Sequence, residues 1–236
     1  MQNGNYLFET TTRLFHTFEL QNPSFHCFFY DNAIVKKTYA PDDKIDELLN
    51  KKTVGYISRG FCKTYVQNTQ GENHFTGFLP CYSTFHSAPG IDILNKILYA
   101  GCETEIIYCI LDEYLSWISI SSDRMLHMMN EPYYRRNLND FPRYETINQS
   151  SKYKVYFYIY YYTLRFGTPA SNQSKIIKVK VLPTYKDIAY YYGLHPNNVA
   201  SYLAELRKIC TIEKKEKYLY YINLTELESM LTKLKK

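Results

Sequence analysis

The sequence predicts an α+β chain: an antiparallel, jelly-roll-like β-barrel, then a long central helix, then a compact module of strand, paired helices and hairpin. Three observations carry this. Short apolar runs broken by turn residues fill positions from about 25 to 120. Helical periodicity begins at Ser121. The last quarter reads strand, helix, glycine, helix, basic hairpin.

At 236 residues the chain has material for one large domain or two modest ones. A composition of 45% hydrophobic and 22% charged residues is that of an ordinary soluble globular protein. No apolar run reaches the roughly 18 residues that span a bilayer. The N-terminal MQNGNYLFETTTRLFH lacks the apolar core and small-residue site of a signal peptide. A cytoplasmic protein without membrane contact is the expectation.

The cysteines at 27, 62, 81, 102, 109 and 210 form no C-x-x-C pair and no close Cys/His group. Reduced, mostly buried thiols are expected, with no metal and no cofactor. The net charge of +5 permits nucleic-acid binding without requiring it. From Lys175 to Lys236 the bases exceed the acids by six, so the C-terminal quarter carries the whole surplus. One end of the chain is thereby suited to a polyanion. The 26 tyrosines, many in runs such as KVYFYIYYYTLRF, serve as large hydrophobes whose hydroxyls need water or a partner.

In the first 120 residues, TVGYISRGFCKTYVQ and ENHFTGFL are strands split by NTQG, a hairpin turn with Gly71 free for positive φ. KILYAGCETEIIYCIL holds two more strands around Gly101, and LDEYLSWI is a short helix. Residues 121–150 form the central helix and a hinge. Ser121 or Ser122 caps it, with Asp123 in the first turn. Leu126, Met129, Tyr133 and Leu138 make an apolar stripe, and Pro132 and Pro142 should either kink the helix twice or divide it. Residues 151–236 are the third part, whose first helix ends at Gly167.

Within that part IIKVKVL alternates as a strand. Thr184 is an N-cap with Asp187 at the capping-box position. The helix stops at Gly193, and a second helix starts with Pro196 and buries Val199, Leu203 and Leu206. Two strands then flank Lys214, Lys215, Glu216 and Lys217, and NLTELESMLTKLKK closes the chain as an amphipathic helix. This is the order of a winged helix-turn-helix, whose second helix enters the major groove while the wing neutralises phosphate.

The segment PTYKDIAYYYGLHPNNVASYLAELRKICTIEKKEKYLYYINLTEL resembles the C-terminal domain of the bacterial CRP/FNR transcription regulators. The match falls on Thr184, Asp187, Ile188, Ala189, Gly193, Val199, Leu203 and Leu206. Upstream, VGYISRGFCKTYVQNTQGENHFTGFLP is similar to that family's barrel signature through Tyr56, Ile57, Gly60, Gly71, Glu72 and Leu79. The resemblance covers about residues 25 to 230. It implies a homodimer joined by Leu126, Met129, Tyr133 and Leu138, an effector-sensing barrel over 1–120, and double-stranded DNA as partner. RNA polymerase is a further partner of such regulators. The DNA contacts implied are Thr184, Tyr185, Lys186, His195, Asn197, Asn198, Ser201, Tyr202, Lys214, Lys215 and Lys217.

Three departures shape the expected function. Ser201 stands where the family usually has an arginine, and Pro196 and Asn197 stand for its frequent Arg-Glu pair, so bidentate guanine readout is lost. Asn197 and Asn198 serve either as caps or as adenine readers, which favours an A/T-rich pseudo-palindrome. After Leu79, PCYSTFHSAPGIDILNKILYAG lacks the Gly-Glu and Arg of a cyclic-nucleotide cassette, so a small non-nucleotide effector, or none, is expected. The iron–sulfur cysteines of the oxygen sensors are also missing. No catalytic arrangement is recognisable, so the chain is read as a regulator and not an enzyme. The competing expectation is a degenerate regulator that acts as a protein-interaction adaptor without specific DNA binding.

Overall fold

The computed structural model describes residues 23–45, 52–86, 95–171, 175–209, 212–216 and 219–235. The chain divides near Asn139/Asp140 into two compact units. In the first, helix α1 (Pro23–Asp31) precedes strands β1 (Val35–Tyr39), β2 (Thr53–Arg59), β3 (Cys62–Gln67), β4 (Asn73–Leu79), β5 (Thr84–His86), β6 (Asn95–Ala100) and β7 (Thr104–Ile110). Helices α2 (Leu111–Ser119) and α3 (Ser122–Glu145) follow, and the last turns of α3, from Asp140 on, belong to the second unit. The second unit holds α4 (Ser151–Phe166), β8 (Thr168–Pro169), β9 (Ile176–Val179), α5 (Tyr185–Tyr192), α6 (Pro196–Lys208), β10 (Ile212–Glu216), β11 (Leu219–Asn223) and α7 (Leu224–Leu234).

The expected barrel does not close. The first unit's described strands form two separate antiparallel sheets, ordered β1-β7-β2-β5 and β4-β3-β6. The chain leaves one sheet and enters the other at Gly60, whose positive φ turns it sharply, and β2 shifts register against β7 between Ile57 and Arg59. That bulge and turn redirect β3 away from β2, so two edges that a barrel would pair stay apart. The predicted β3–β4 hairpin is present, with the Asn68 side chain accepting from the amides of Gln70 and Glu72.

Strand alternation sorts two cores. Ile57, Ile106 and Tyr108 face a cluster with Tyr39, Cys62, Leu79 and Leu98 contributed by both sheets. Val54, Tyr56, Ile107 and Cys109 point the other way, under Phe25, Phe28 and Phe29 of α1 and Tyr114 and Ile118 of α2. Strands β2 and β7 are therefore covered on both faces, which explains their nearly unbroken burial. Burial also accounts for Cys62, Cys102 and Cys109, while Cys27 is exposed.

Helix α3 runs unbroken through Pro132 and Pro142, neither dividing nor ending there. Three attachments hold its inner face. Arg135 Nη1 binds the Glu131 carboxylate at 2.7 Å and the Thr84 carbonyl at 3.3 Å. The Asn139 amide engages β4 like a neighbouring strand, accepting from the Phe78 amide at 3.3 Å and donating to its carbonyl at 3.1 Å. Gly77 makes this approach feasible, since a Cβ there would sit 2.6 Å from Asn139 Nδ2. Leu138 is buried on this side, whereas Leu126, Met129 and Tyr133 lie on the exposed face.

Glu131 is nearly fully buried, and desolvation raises its carboxyl above the ordinary 4.5 despite Arg135 beside it. A raised folded-state value favours the protonated form in the native protein. Its contribution to stability is thus full below about pH 4.5 and is lost as pH rises through the folded value. The stability of the wild type relative to Glu131→Gln should fall as pH increases above about 4.5, measured by urea unfolding at a series of pH values. A flat difference would remove the burial argument.

In the second unit, α4 is buried on all sides, with Ser150 as its N-cap and Gly167 ending it as expected. Two of its tyrosine hydroxyls find partners: Tyr160 donates to Glu228 at 3.1 Å and Tyr162 to the Val181 carbonyl at 2.6 Å. Burial pushes the hydroxyls of Tyr158 and Tyr160 well up, so both remain protonated. The end of α3 is fastened to α5. Arg143 Nε donates to the Tyr191 carbonyl at 2.7 Å with its guanidinium over the Tyr191 ring, and the Pro142 carbonyl accepts from Thr146 and Tyr192.

Candidate nucleic-acid interface

The α5–α6 pair forms for reasons local to its sequence. Thr184 accepts from the Asp187 amide and the Asp187 carboxylate accepts from the Thr184 amide, a complete capping box. Ile188, Ala189 and Tyr191 are the buried face of α5. Gly193 ends the helix in the left-handed region at φ 65°, where a side chain would be strained, and the Leu194 amide closes the turn on the Ala189 carbonyl. Pro196 then opens α6, whose Val199, Leu203 and Leu206 are buried.

The N-cap of α6 is His195. Its Nδ1 accepts from the Asn197 amide at 3.3 Å, a task the sequence alone leaves open to the asparagines. Asn197, Asn198 and Ser201 are all exposed, and Tyr202 is half-buried. Glu205, the one carboxylate on this helix, is neutralised by Lys152 Nζ at 2.6 Å. Lys152 is a residue that sequence reasoning missed, because nothing in the spacing joins it to α6.

Sheet β10-β11-β9-β8 lies beside the helices. Ile212 pairs with Ile222, both buried, and Lys214 pairs with Tyr220, so Lys214 shares the Ile212 side of the hairpin yet remains exposed. The ladder shifts between Lys214 and Glu216, which makes Lys215 the bulged residue. The Lys215 side chain and all of Lys217 lie outside the described residues. Thr184, Tyr185 and Lys186 are exposed at the start of α5, though the Thr184 hydroxyl is committed to its cap. The structure thus gathers residues 184–186, 195–202 and 214 into one unit, and the stripe residues 126, 129 and 133 into the other.

In the first unit an open groove of about 460 Å³ is lined by Phe28, Asn32, Asp112, Glu113, Ser116, Trp117 and Ile120. Of the stretch 80–101, where a phosphate cassette would be sought, residues 87–94 lie outside the described residues. Among the described residues no group of three or more His, Cys, Asp or Glu is placed to hold a metal ion, and no helix is long and apolar enough to cross a membrane.

No protein-family model and no curated protein sequence matches the chain. Solved structures do. A cyclic nucleotide-binding domain containing protein from Listeria monocytogenes EGD-e aligns over 84% of this chain and 92% of its own, at 19% identity and TM-score 0.59. TTHB099, a CRP-family transcriptional regulator from Thermus thermophilus, aligns over 83% and 96%, at 14% identity and TM-score 0.59. FixK2 from Bradyrhizobium japonicum aligns over the same shares at 14% identity and TM-score 0.57. The architecture built above from residues is shared with these proteins over more than four fifths of the chain: the chain has a CRP/FNR-like fold.

Proposed function

We propose that this CRP/FNR-like chain is a cytoplasmic DNA-binding transcription regulator and not an enzyme. It works as a homodimer on a pseudo-palindromic, A/T-rich operator. The exposed apolar face of α3 joins two copies, α6 enters the major groove of each half-site, and the β10–β11 wing neutralises phosphate. A non-nucleotide effector of the first unit biases the dimer between reading and non-reading states, and RNA polymerase is the downstream partner.

The single observation that supports this most is α6 itself. Its inner face is buried and its outer face is polar and uncommitted, with its lone carboxylate neutralised and a lysine-bearing hairpin following it. A packing hairpin has no need of such a face.

Gel shifts on A/T-rich duplexes across a salt series test the proposal. Binding should weaken steeply with salt, and Lys214→Ala with Lys215→Ala should reduce the log–log slope by about one per lysine removed. An unchanged slope sinks the wing assignment. No binding to any duplex at low salt sinks the regulator and leaves the adaptor reading in its place.

A further inference from the structure

We infer that Asn197, with Ser201 one turn further on, is the side chain that reads adenine in the operator, and that His195 is the positioning residue that frees it. This rests on the DNA-reading function proposed above and assigns the specificity within it.

The two asparagines are equivalent in composition but not in placement. At about 3.6 residues per turn, Asn197 lies about 160° around α6 from the buried Val199, and Ser201 lies about 160° from it in the opposite sense. The two therefore flank the outward pole of the helix. Asn198 sits only about 100° from Val199, at the flank, and Tyr202 is closer still to the buried stripe. A helix in the major groove presents its outward pole and its N-terminal residues to base edges.

Availability separates reader from scaffold. An asparagine at the start of a helix ordinarily spends its side chain on capping. Here the His195 ring accepts from the Asn197 amide, and the Asn198 amide is satisfied by the His195 carbonyl at 3.1 Å. Among the described residues no contact engages the exposed Asn197 side chain, so both its donor and its acceptor are uncommitted. That pair matches the N6 donor and N7 acceptor of adenine in one bidentate contact. Glu205, which could otherwise accept from cytosine along the same helix, is held by Lys152.

Selection from a randomised duplex library, followed by titration of single-base variants, tests the assignment on the full-length protein. The wild type should select adenine at one fixed position per half-site. Asn197→Ala should lose about tenfold of that discrimination while still binding. Asn197→Asp, which removes the donor, should move the preference toward cytosine. Asn198→Ala should leave the preference intact. His195→Ala should weaken binding to all duplexes alike, and His195→Ser, which restores a capping oxygen, should recover it. Circular dichroism establishes that each variant is folded. The inference is overturned if Asn197→Ala keeps the adenine preference, if Asn198→Ala abolishes it, or if His195→Ala changes base preference rather than affinity. A wild type that binds no duplex overturns the DNA-reading function itself, whereas binding without an adenine preference overturns only this assignment.

Discussion

Met129→Asp is expected to abolish the proposed dimer, read by sedimentation velocity, and to weaken the proposed operator binding by about a hundredfold or more. Leu126, Met129 and Tyr133 fall at i, i+3 and i+7 on α3, with 55%, 64% and 69% of their surface exposed. A stripe of that breadth is unusual on a helix whose other face already carries its packing. Two copies apposed along it would bury Met129 at the centre, where an aspartate would place like charges together in an apolar seam. The DNA effect follows from linkage: once one half-site is held, the second is bound at a high effective concentration, a gain of about 10² to 10⁴ that a monomer forfeits. A Met129→Asp protein that remains dimeric would mean that the seam lies elsewhere. Leu138 would not serve in such a test, because it is buried on the opposite face and its loss would act on folding.

Phe29→Ala should cost the first unit about 4 kcal/mol, enough to threaten its folding. Phe29 is fully buried, stacks on Tyr56 with centroids 4.4 Å apart and rings 6° from parallel, and meets Tyr114 at 5.4 Å. It is thus the side chain through which α1 and α2 grip the outer face of β2. Phe29→Leu keeps most of the volume and should cost well under half as much. Urea unfolding followed by circular dichroism would compare them. Equal losses in both variants would shift the explanation from cavity formation to the aromatic stack.

The second unit was legible because its signals are local. Thr184 with Asp187, Gly193 and Pro196 each act within a few residues, and each sits in the structure where its chemistry predicts. What failed was non-local. Whether seven strands close into a barrel depends on which edges meet, and the bulge near Ser58 that separates β2 from β3 leaves no mark in the apolar pattern. The prolines of α3 left kinking and division open, and that the helix is not divided depends on contacts that are likewise out of sight in the spacing. Their cost is offset by fastening around them, through Arg135 on the Thr84 carbonyl near Pro132 and through Thr146 and Tyr192 on the Pro142 carbonyl. Tyrosine runs blur helical phase: of Tyr190, Tyr191 and Tyr192 on α5, Tyr191 is the buried one. At the candidate site the residue types were readable but their division of labour was not, because His195 as cap is a matter of ring orientation.

The stack of Phe28 on Trp117 gives the molecule its own optical label. Trp117 is the only tryptophan in a chain of 26 tyrosines, with Phe28 on it at 4.5 Å and the Arg124 guanidinium 4.1 Å from its ring. Selective excitation of the indole therefore sees the first unit alone, while tyrosine absorbance reports on both units. Followed together in one cuvette, the two signals separate melting of the first unit from melting of the whole chain. Since the indole also lines the groove beside Asp112 and Glu113, a compound settling there would announce itself by changed emission without any added dye.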